Sequence, residues 1–180
     1  SDRATCVLFG DGAGAVVVEA SAEGPGIASV VLRGDGGKSE LLTVKGGGSK
    51  HPPTLESVRD KLHHIRMQGS EVFKVAVPSM ATAAEEAIAQ AGMRVSDIDL
   101  FIPHQANLRI IEAVAKRLRL DASKVFTNIE HYGNTSAASI PIALSEAIER
   151  GRVHRGDRLV FAAFGGGMTW GAAVVNWTAG

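Results

Sequence analysis

Several classes of protein are excluded by what this sequence contains little of. Cys6 is the only cysteine among 180 residues, so neither an internal disulfide framework nor a cysteine-rich zinc site is possible. The 19 Lys and Arg residues balance 19 Asp and Glu residues, whereas a protein that binds nucleic acid has a strong basic excess. No stretch approaches the roughly 18 uninterrupted apolar residues that span a membrane. We therefore expect neither nucleic acid nor a membrane among its partners.

The first residues of the chain are also unlike a targeting segment. Residues 1–5 (SDRAT) do not resemble a secretory signal peptide and include no initiator Met. A strand-like apolar run follows almost at once. We therefore expect a cytoplasmic protein, and we expect this chain to be a portion of a longer one.

Apolar residues along the chain alternate between strand and helix spacing. Short apolar runs predict strands at 4–9, 15–20, 27–32, 100–102, 125–127, 159–164 and 172–177. Apolar residues three and four apart predict helices at 54–68, 70–90, about 107–118 and 136–150. Pro78 should kink or split the second of these helices, and the glycine-rich residues 34–53 predict a long irregular loop. This order is typical of an α/β fold in which helices cover both faces of a mixed, mostly parallel sheet.

Two distant segments share one sequence pattern. Asp2-Arg3 and Asp157-Arg158 each precede a Phe-Gly pair, with seven residues from Asp to Phe in both cases. A glycine-rich turn and a second apolar run follow, which starts at Gly14 in one segment and at Gly171 in the other. Two unrelated hairpins with similar turns are one explanation. We favour a duplication, in which residues 1–22 are the last hairpin of one half-domain and residues 23–180 form the second.

Three groups that could do chemistry follow predicted strands, which is where ligands of α/β sheets bind. His104 precedes a helix N-terminus, whose positive potential would keep the imidazole neutral and able to donate from Nε2; a histidine that only caps the helix is the alternative. Asn134 offers an uncharged donor to an oxyanion, although Asn beside Gly is also a common turn or cap residue. Gly166 could present a backbone N–H to a substrate oxygen, or could simply form a tight turn.

Other candidate sites are weaker. Lys74, Arg109, Lys116 and Arg117 could form a basic patch, or could be an ordinary solvated helix face. His63 and His64 are adjacent, so they would point to different faces of a helix, and we expect no metal site. The glycines of residues 10–14 do not have the spacing of a dinucleotide-binding loop.

Five segments in their order along the chain are together specific. They are residues 9–15 (FGDGAGA), 72–77 (VFKVAV), 104–109 (HQANLR), 131–139 (HYGNTSAAS) and 163–171 (AFGGGMTWG). These segments resemble the C-terminal portion of beta-ketoacyl-[acyl carrier protein] synthase III. This family of condensing enzymes initiates bacterial fatty acid synthesis, by joining an acyl-CoA primer to malonyl-acyl carrier protein, and has a thiolase-like fold. Its two similar halves agree with the internal repeat.

The resemblance implies roles for particular residues. His104 and Asn134 would be catalytic and would bind the malonyl thioester carbonyl during decarboxylation. The backbone N–H of Gly166 would form an oxyanion hole with that of a nucleophilic Cys. The residues near acyl-CoA would be Arg3, Gly69, Phe73, Asn107 and Phe164. The residues that dock the acyl carrier protein would be Lys74, Arg109, Lys116 and Arg117. The resemblance implies no metal and no cofactor other than acyl-CoA as substrate, and it implies a homodimer.

Cys6 departs from the family pattern. The family nucleophile lies in the first half of the protein, and the repeat pairs Cys6 with Phe161, so we expect Cys6 to be a small buried side chain in a strand. The chain would then need the missing N-terminal half for catalysis. The alternative is a non-catalytic half that serves as an acyl carrier protein binding or dimerisation module. The sequence leaves open the primer chain length and the choice between fatty acid and specialised polyketide synthesis.

Overall fold

A computed structural model describes residues 5–20, 24 and 26–179 of the chain. Its strands are β1 (Ile27–Gly34), β2 (Leu42–Val44), β3 (Ile65–Met67), β4 (Leu100–Pro103), β5 (Arg158–Gly165) and β6 (Thr169–Asn176). Its α-helices are α1 (Leu55–Arg59), α2 (Gly69–Gln90), α3 (Leu108–Leu118), α4 (Ile129–Tyr132) and α5 (Ser139–Glu149). Short 3-10 turns lie at Gly36–Leu41, Val95–Asp97, Ala122–Lys124 and Ser136–Ala138.

The main sheet has four strands in the order β1-β6-β5-β4. β4 and β5 are parallel, whereas β5 with β6, and β6 with β1, are antiparallel. The sheet is mixed, as the sequence predicts, but the prediction that it is mostly parallel is wrong. β5 and β6 are joined by the tight turn after Gly165, and a turn of that length can connect only antiparallel strands. The connection from β4 to β5 is long and contains α3, α4 and α5, so these two strands can run parallel.

Helices cover both faces of this sheet because side chains alternate along the strands. In β5, Val160 and Ala162 face a core that includes α2 and α3. Leu159 and Phe161 face the opposite core, which includes α5. The sheet is therefore the middle layer of three, as the sequence predicts.

α2 is the longest helix and runs unbroken through Pro78. Of the two outcomes predicted at Pro78, a kink or a split, the split is wrong. The buried face of α2 carries mostly small side chains, among them Ala76, Ala83 and Ala87, and the helix packs along β1, β5 and β6. This packing outweighs the one backbone hydrogen bond that a proline cannot make.

Four other segments differ from the prediction. The helix predicted for 54–68 ends at Arg59, and Ile65–Met67 instead pairs with β2 in a separate two-stranded sheet. The loop predicted for 34–53 is therefore partly ordered. The strand predicted for 125–127 is reduced to a single bridge between Phe101 and Val125. In the helix predicted for 136–150, a 3-10 turn precedes α5.

The hairpin predicted for the start of the chain does not form in the described residues. Residues 10–20 belong to no helix or strand. Leu8 O accepts a hydrogen bond from Asn134 N at 2.8 Å, and Gly10 N donates to Asn134 O at 3.0 Å. The backbone groups that would begin a hairpin are therefore bonded elsewhere, and the segment continues past Pro141 and Ile142 of α5.

Cys6 lies in the turn formed by residues 5–8 and is exposed. The prediction of a small buried side chain in a strand is therefore wrong, because the strand that would bury it is not formed. The division of the chain into half-domains at residues 22 and 23 stays a prediction. No helix within the described ranges is long and apolar enough to cross a membrane.

Candidate active site

An open cavity of about 1590 Å³ lies beside the ends of β4 and β5. It is lined by most of the residues that the sequence singles out, namely Gly69, Phe73, Lys74, His104, Asn107, Arg109, Asn134, Phe164 and Gly166. The remaining wall is largely apolar and includes Leu42, Ile65 and Met67 of the small sheet. Lys116 and Arg117 lie outside this wall, and Arg3 lies outside the described residues.

His104 follows β4 directly and is held from two sides. Its backbone N donates to Ala162 O of β5 at 2.8 Å, which continues the parallel pairing of β4 with β5 by one residue. Its Nδ1 lies 2.6 Å from Ser139 Oγ at the start of α5. The next helix is capped by Asn107, whose side chain accepts from Arg109 N at 2.9 Å. Asn107, and not the ring of His104, is therefore the cap of that helix.

The imidazole of His104 is neutral at physiological pH. The residue is 9% exposed, and burial lowers the pKa of His104 from 6.5 to about 4. Desolvation penalises the charged form of a histidine. The sequence predicts neutrality from the helix N-terminus, but burial is the cause in the structure.

Asn134 is positioned by its backbone and by its own side chain. A parallel bridge joins it to Phe9, so the first described segment of the chain holds it in place. Its Oδ1 accepts from Ser136 N at 2.9 Å. Since the carbonyl oxygen of the amide is used in this way, Nδ2 is the end left to donate, and it has no acceptor among the described residues. His104 and Asn134 thus bring two uncharged donors to one cavity.

Gly166 lies in the turn between β5 and β6. Thr169 Oγ1 donates to Gly166 O at 3.1 Å and closes this turn. A Cβ at Gly166 would lie 3.0 Å from Leu42 O, so a larger residue would push against the small sheet. Gly166 thus forms a tight turn and also lines the cavity, so a turn-forming role and a backbone N–H presented to a substrate oxygen are compatible interpretations of this glycine.

The basic residues divide into two pairs. Arg109 lies over the ring of Phe73, with 5.8 Å from its Cζ to the ring centroid, and Lys74 pairs with Glu71 at 2.7 Å. Both line the cavity on the side where α2 meets α3. Lys116 and Arg117 lie in the last turn of α3, about 10 Å further along the helix at 1.5 Å per residue.

Sequence reasoning missed two buried polar residues beside His104. Ser139 is 2% exposed and Gln105 is 1% exposed. Gln105 Nε2 donates to Pro103 O at 2.8 Å and its Oε1 accepts from Asn128 N at 3.1 Å, which ties the loop after β4 to the segment before α4. A serine at the start of a helix is usually a cap, and a glutamine in a loop is usually exposed. Neither has a sequence signal that separates it from those ordinary roles.

Comparisons with known proteins show which family the chain belongs to. The family described as 3-Oxoacyl-[acyl-carrier-protein (ACP)] synthase III C terminal matches residues 88–177, and 3-Oxoacyl-[acyl-carrier-protein (ACP)] synthase III matches residues 1–36. A beta-ketoacyl-[acyl-carrier-protein] synthase III of Desulfitobacterium hafniense is 54% identical over 98% of this chain and 54% of its own length. One from Roseiflexus castenholzii is 52% identical over 100% of the chain and 54% of its own length.

A solved structure gives the same result for the fold. The crystal structure of 3-oxoacyl-[acyl-carrier-protein] synthase III from Aquifex aeolicus superposes with a TM-score of 0.87 at 48% identity, and the match covers 98% of this chain and 52% of that one. The thiolase-like α/β fold implied by the sequence resemblance is thereby confirmed. The chain spans about half the length of the curated relatives that it matches. It belongs to the 3-oxoacyl-[acyl-carrier-protein] synthase III family.

Proposed function

We propose that this chain is the C-terminal portion of a beta-ketoacyl-[acyl carrier protein] synthase III. The complete protein would be an acyltransferase that condenses an acyl-CoA primer with malonyl-acyl carrier protein, in the first condensation of fatty acid synthesis. The observation that carries the proposal is the pair of uncharged donors, His104 and Asn134, in one largely apolar cavity. Membership of the family supports the same reaction.

In this proposal the two donors act on the malonyl thioester. His104 Nε2–H and Asn134 Nδ2–H donate to its carbonyl oxygen. The bond to the carboxylate breaks, CO2 leaves, and the electron pair enters the enolate, whose oxygen the two donors stabilise. A neutral imidazole is suited to this role, because it donates a hydrogen bond without giving up its proton. The low pKa of His104, about 4, supports that state at physiological pH.

Carbon–carbon bond formation follows at a second thioester. The enolate carbon attacks the carbonyl carbon of the acyl group carried by a cysteine and forms a tetrahedral oxyanion, which then collapses to the ketone as the cysteine thiolate leaves. The backbone N–H of Gly166 would stabilise the oxyanion of this step, together with the N–H of that cysteine. Cys6 is exposed and is not part of the cavity wall. We therefore assign the nucleophile to an N-terminal half outside these residues, and the length of the relatives supports a half of that size.

The substrate-binding roles are part of the proposal. The acyl-CoA would lie along Gly69, Phe73, Asn107 and Phe164, all of which line the cavity; for Arg3 only the sequence resemblance supports this role.

The acyl carrier protein would dock on Lys74, Arg109, Lys116 and Arg117. Arg109→Glu should then weaken the use of malonyl-acyl carrier protein more than the use of a free malonyl thioester, and an equal loss with both substrates would remove the docking role.

A homodimer, a cytoplasmic location and the lack of any further cofactor rest on the sequence predictions alone.

The test uses the full-length gene product. Radiolabelled acyl-CoA should label the protein as an acyl thioester. His104→Ala should lower the decarboxylation of malonyl-acyl carrier protein by about a hundredfold or more and leave the labelling intact. His51→Ala is the matched control, because His51 is an exposed histidine outside the cavity wall.

Two results would contradict the proposal. If His104→Ala lowers labelling and decarboxylation equally, His104 does not have the role assigned to it. If the wild-type protein forms no acyl-enzyme at all, the chain is the non-catalytic module for acyl carrier protein binding or dimerisation.

A further inference from the structure

Ser139 is a buried hydroxyl that connects α5 to the loop after β4. It is the first residue of α5 and is 2% exposed. Its Oγ lies 2.6 Å from His104 Nδ1 and 3.2 Å from Gln105 N. The hydroxyl is not at the capping position of its own helix, since the N-cap of α5 is Ala138. Its polar contacts are therefore with the loop that carries His104.

The protons at this contact can be assigned by elimination. The backbone N–H of Gln105 can only donate, so Ser139 Oγ accepts from it. The hydroxyl proton then needs an acceptor, and within the described part of the chain His104 Nδ1 is the one in hydrogen-bond reach. When Nδ1 accepts a hydrogen bond, it carries no proton. The single proton of a neutral imidazole must then be on Nε2.

We propose that Ser139 is a positioning residue that holds His104 in the Nε2–H tautomer, so that Nε2 is a donor towards the cavity. The inference rests on the proposed function for its catalytic consequence, because donation from Nε2 is what polarises the malonyl thioester carbonyl. The neutral state of His104 that its low pKa implies is the state in which the tautomer matters. The opposite tautomer would present a lone pair to the carbonyl oxygen and would repel it.

The arrangement at Asn134 follows the same logic. Ser136 N donates to Asn134 Oδ1, which leaves Nδ2 as the donating end. Ser139 Oγ–H donates to His104 Nδ1, which leaves Nε2 as the donating end. Ser136, which begins the 3-10 turn, and Ser139, which begins α5, thus orient both donors. The segment between Asn134 and α5 has a role beyond joining the two.

The first experiment measures the tautomer without using activity. The full-length gene product is labelled with 15N at its histidines, and the resonances of His104 are assigned by their loss in a His104→Gln variant. In the wild-type protein, Nε2 should be the protonated nitrogen and Nδ1 the unprotonated one. In Ser139→Ala this preference should weaken to a mixture of tautomers. Ser139→Thr keeps the hydroxyl and should restore the wild-type preference.

The second experiment measures the consequence for the reaction. Ser139→Ala should lower kcat for malonyl-acyl carrier protein decarboxylation by about tenfold, the effect of one hydrogen bond, with little change in KM and none in acyl-enzyme formation. Ser29→Ala is the matched control. Ser29 Oγ donates to Ala87 O at 2.6 Å, so this variant also removes a short hydroxyl hydrogen bond between two elements, but it is remote from His104 and should leave tautomer and kcat unchanged.

The outcomes separate this inference from the proposed function. A wild-type His104 protonated at Nδ1 overturns the inference, whether or not Ser139→Ala folds. An unchanged tautomer and an unchanged kcat in Ser139→Ala overturn it as well. If instead the Nε2–H tautomer is found but His104→Ala retains decarboxylation, the tautomer assignment stands and the proposed function fails.

Discussion

The two segments that share a sequence pattern have different structures, but each has a backbone carbonyl that accepts from a candidate catalytic residue. Ala162 O, in β5, accepts from His104 N at 2.8 Å, and Leu8 O, in the first described segment, accepts from Asn134 N, also at 2.8 Å. Each segment thus binds the backbone of one candidate catalytic residue. Only the second segment also folds into a hairpin.

The surroundings of the two segments explain this difference. β5 and β6 lie between β4 and β1, and helices cover them on both faces. Residues 10–20 lie in no sheet within the described part of the chain, and their valines are exposed, Val17 at 95%. Strand formation depends on neighbouring strands and on burial of one face. The pattern of apolar residues around a glycine turn is therefore sufficient for a hairpin only where a sheet receives it.

The largest expected effect is a pH dependence of the free energy of unfolding, and it comes from His104, the buried residue bonded to β5. Burial lowers the pKa of His104 from 6.5 to about 4, so between these values the unfolded chain binds a proton that the folded chain does not. The free energy of unfolding should therefore fall as pH falls from 6.5 to 4, by about 3 kcal/mol from this group. Urea denaturation at several pH values measures the slope.

The variant His104→Gln should remove this component of the slope, and His51→Gln, at an exposed histidine, should keep it. If the slopes of wild type and His104→Gln agree, then His104 is not buried as the structure has it. The surroundings of His104 beside β5 would in that case be as exposed to solvent as residues 10–20.

A smaller effect tests the comparison directly at two equivalent valines. The repeat aligns Val17 with Val174, which are 95% and 0% exposed. Val174→Ala should lower the free energy of unfolding of the 180-residue chain by about 2 kcal/mol, through lost burial and a cavity. Val17→Ala should change it by less than about 0.5 kcal/mol. Equal losses at the two sites would mean that the first segment is packed, and the contrast between the segments would disappear.

The elements that sequence periodicity predicts well are those whose contacts are local or repeated. The spacing of apolar residues predicts α3 and most of α2, and the apolar run before Pro103 predicts β4. His104 follows from its position after β4 together with the family resemblance, whereas Asn134 follows from the resemblance, because the strand predicted before it is reduced to a single bridge. The small sheet of β2 and β3, the bridge from Phe9 to Asn134 and the bond from Ser139 to His104 join residues that are distant in sequence. No local sequence pattern specifies which of several compatible partners each of these distant residues will contact. Whether α2 continues through Pro78 likewise depends on how the helix packs, which no local pattern shows.

The smallest expected effect is on the reaction, and it arises in the segment that forms no hairpin. A Cβ at Gly10 would lie 2.0 Å from Tyr132 O, a backbone atom two residues before Asn134. Gly10→Ala should therefore separate this segment from Asn134, break the bonds at Leu8 and Gly10, and displace the amide donor. We expect malonyl-acyl carrier protein decarboxylation by the full-length gene product to fall about tenfold, because a small misplacement of a catalytic group is costly. Gly48→Ala is the control: a Cβ at Gly48 would have no heavy atom within 4 Å, so the rate should stay at the wild-type value. Equal rates for the two variants would mean that the contact with Asn134 is incidental. A loss confined to Gly10→Ala would mean that a segment that forms no hairpin positions a candidate catalytic residue through its backbone bonds at Leu8 O and Gly10 N.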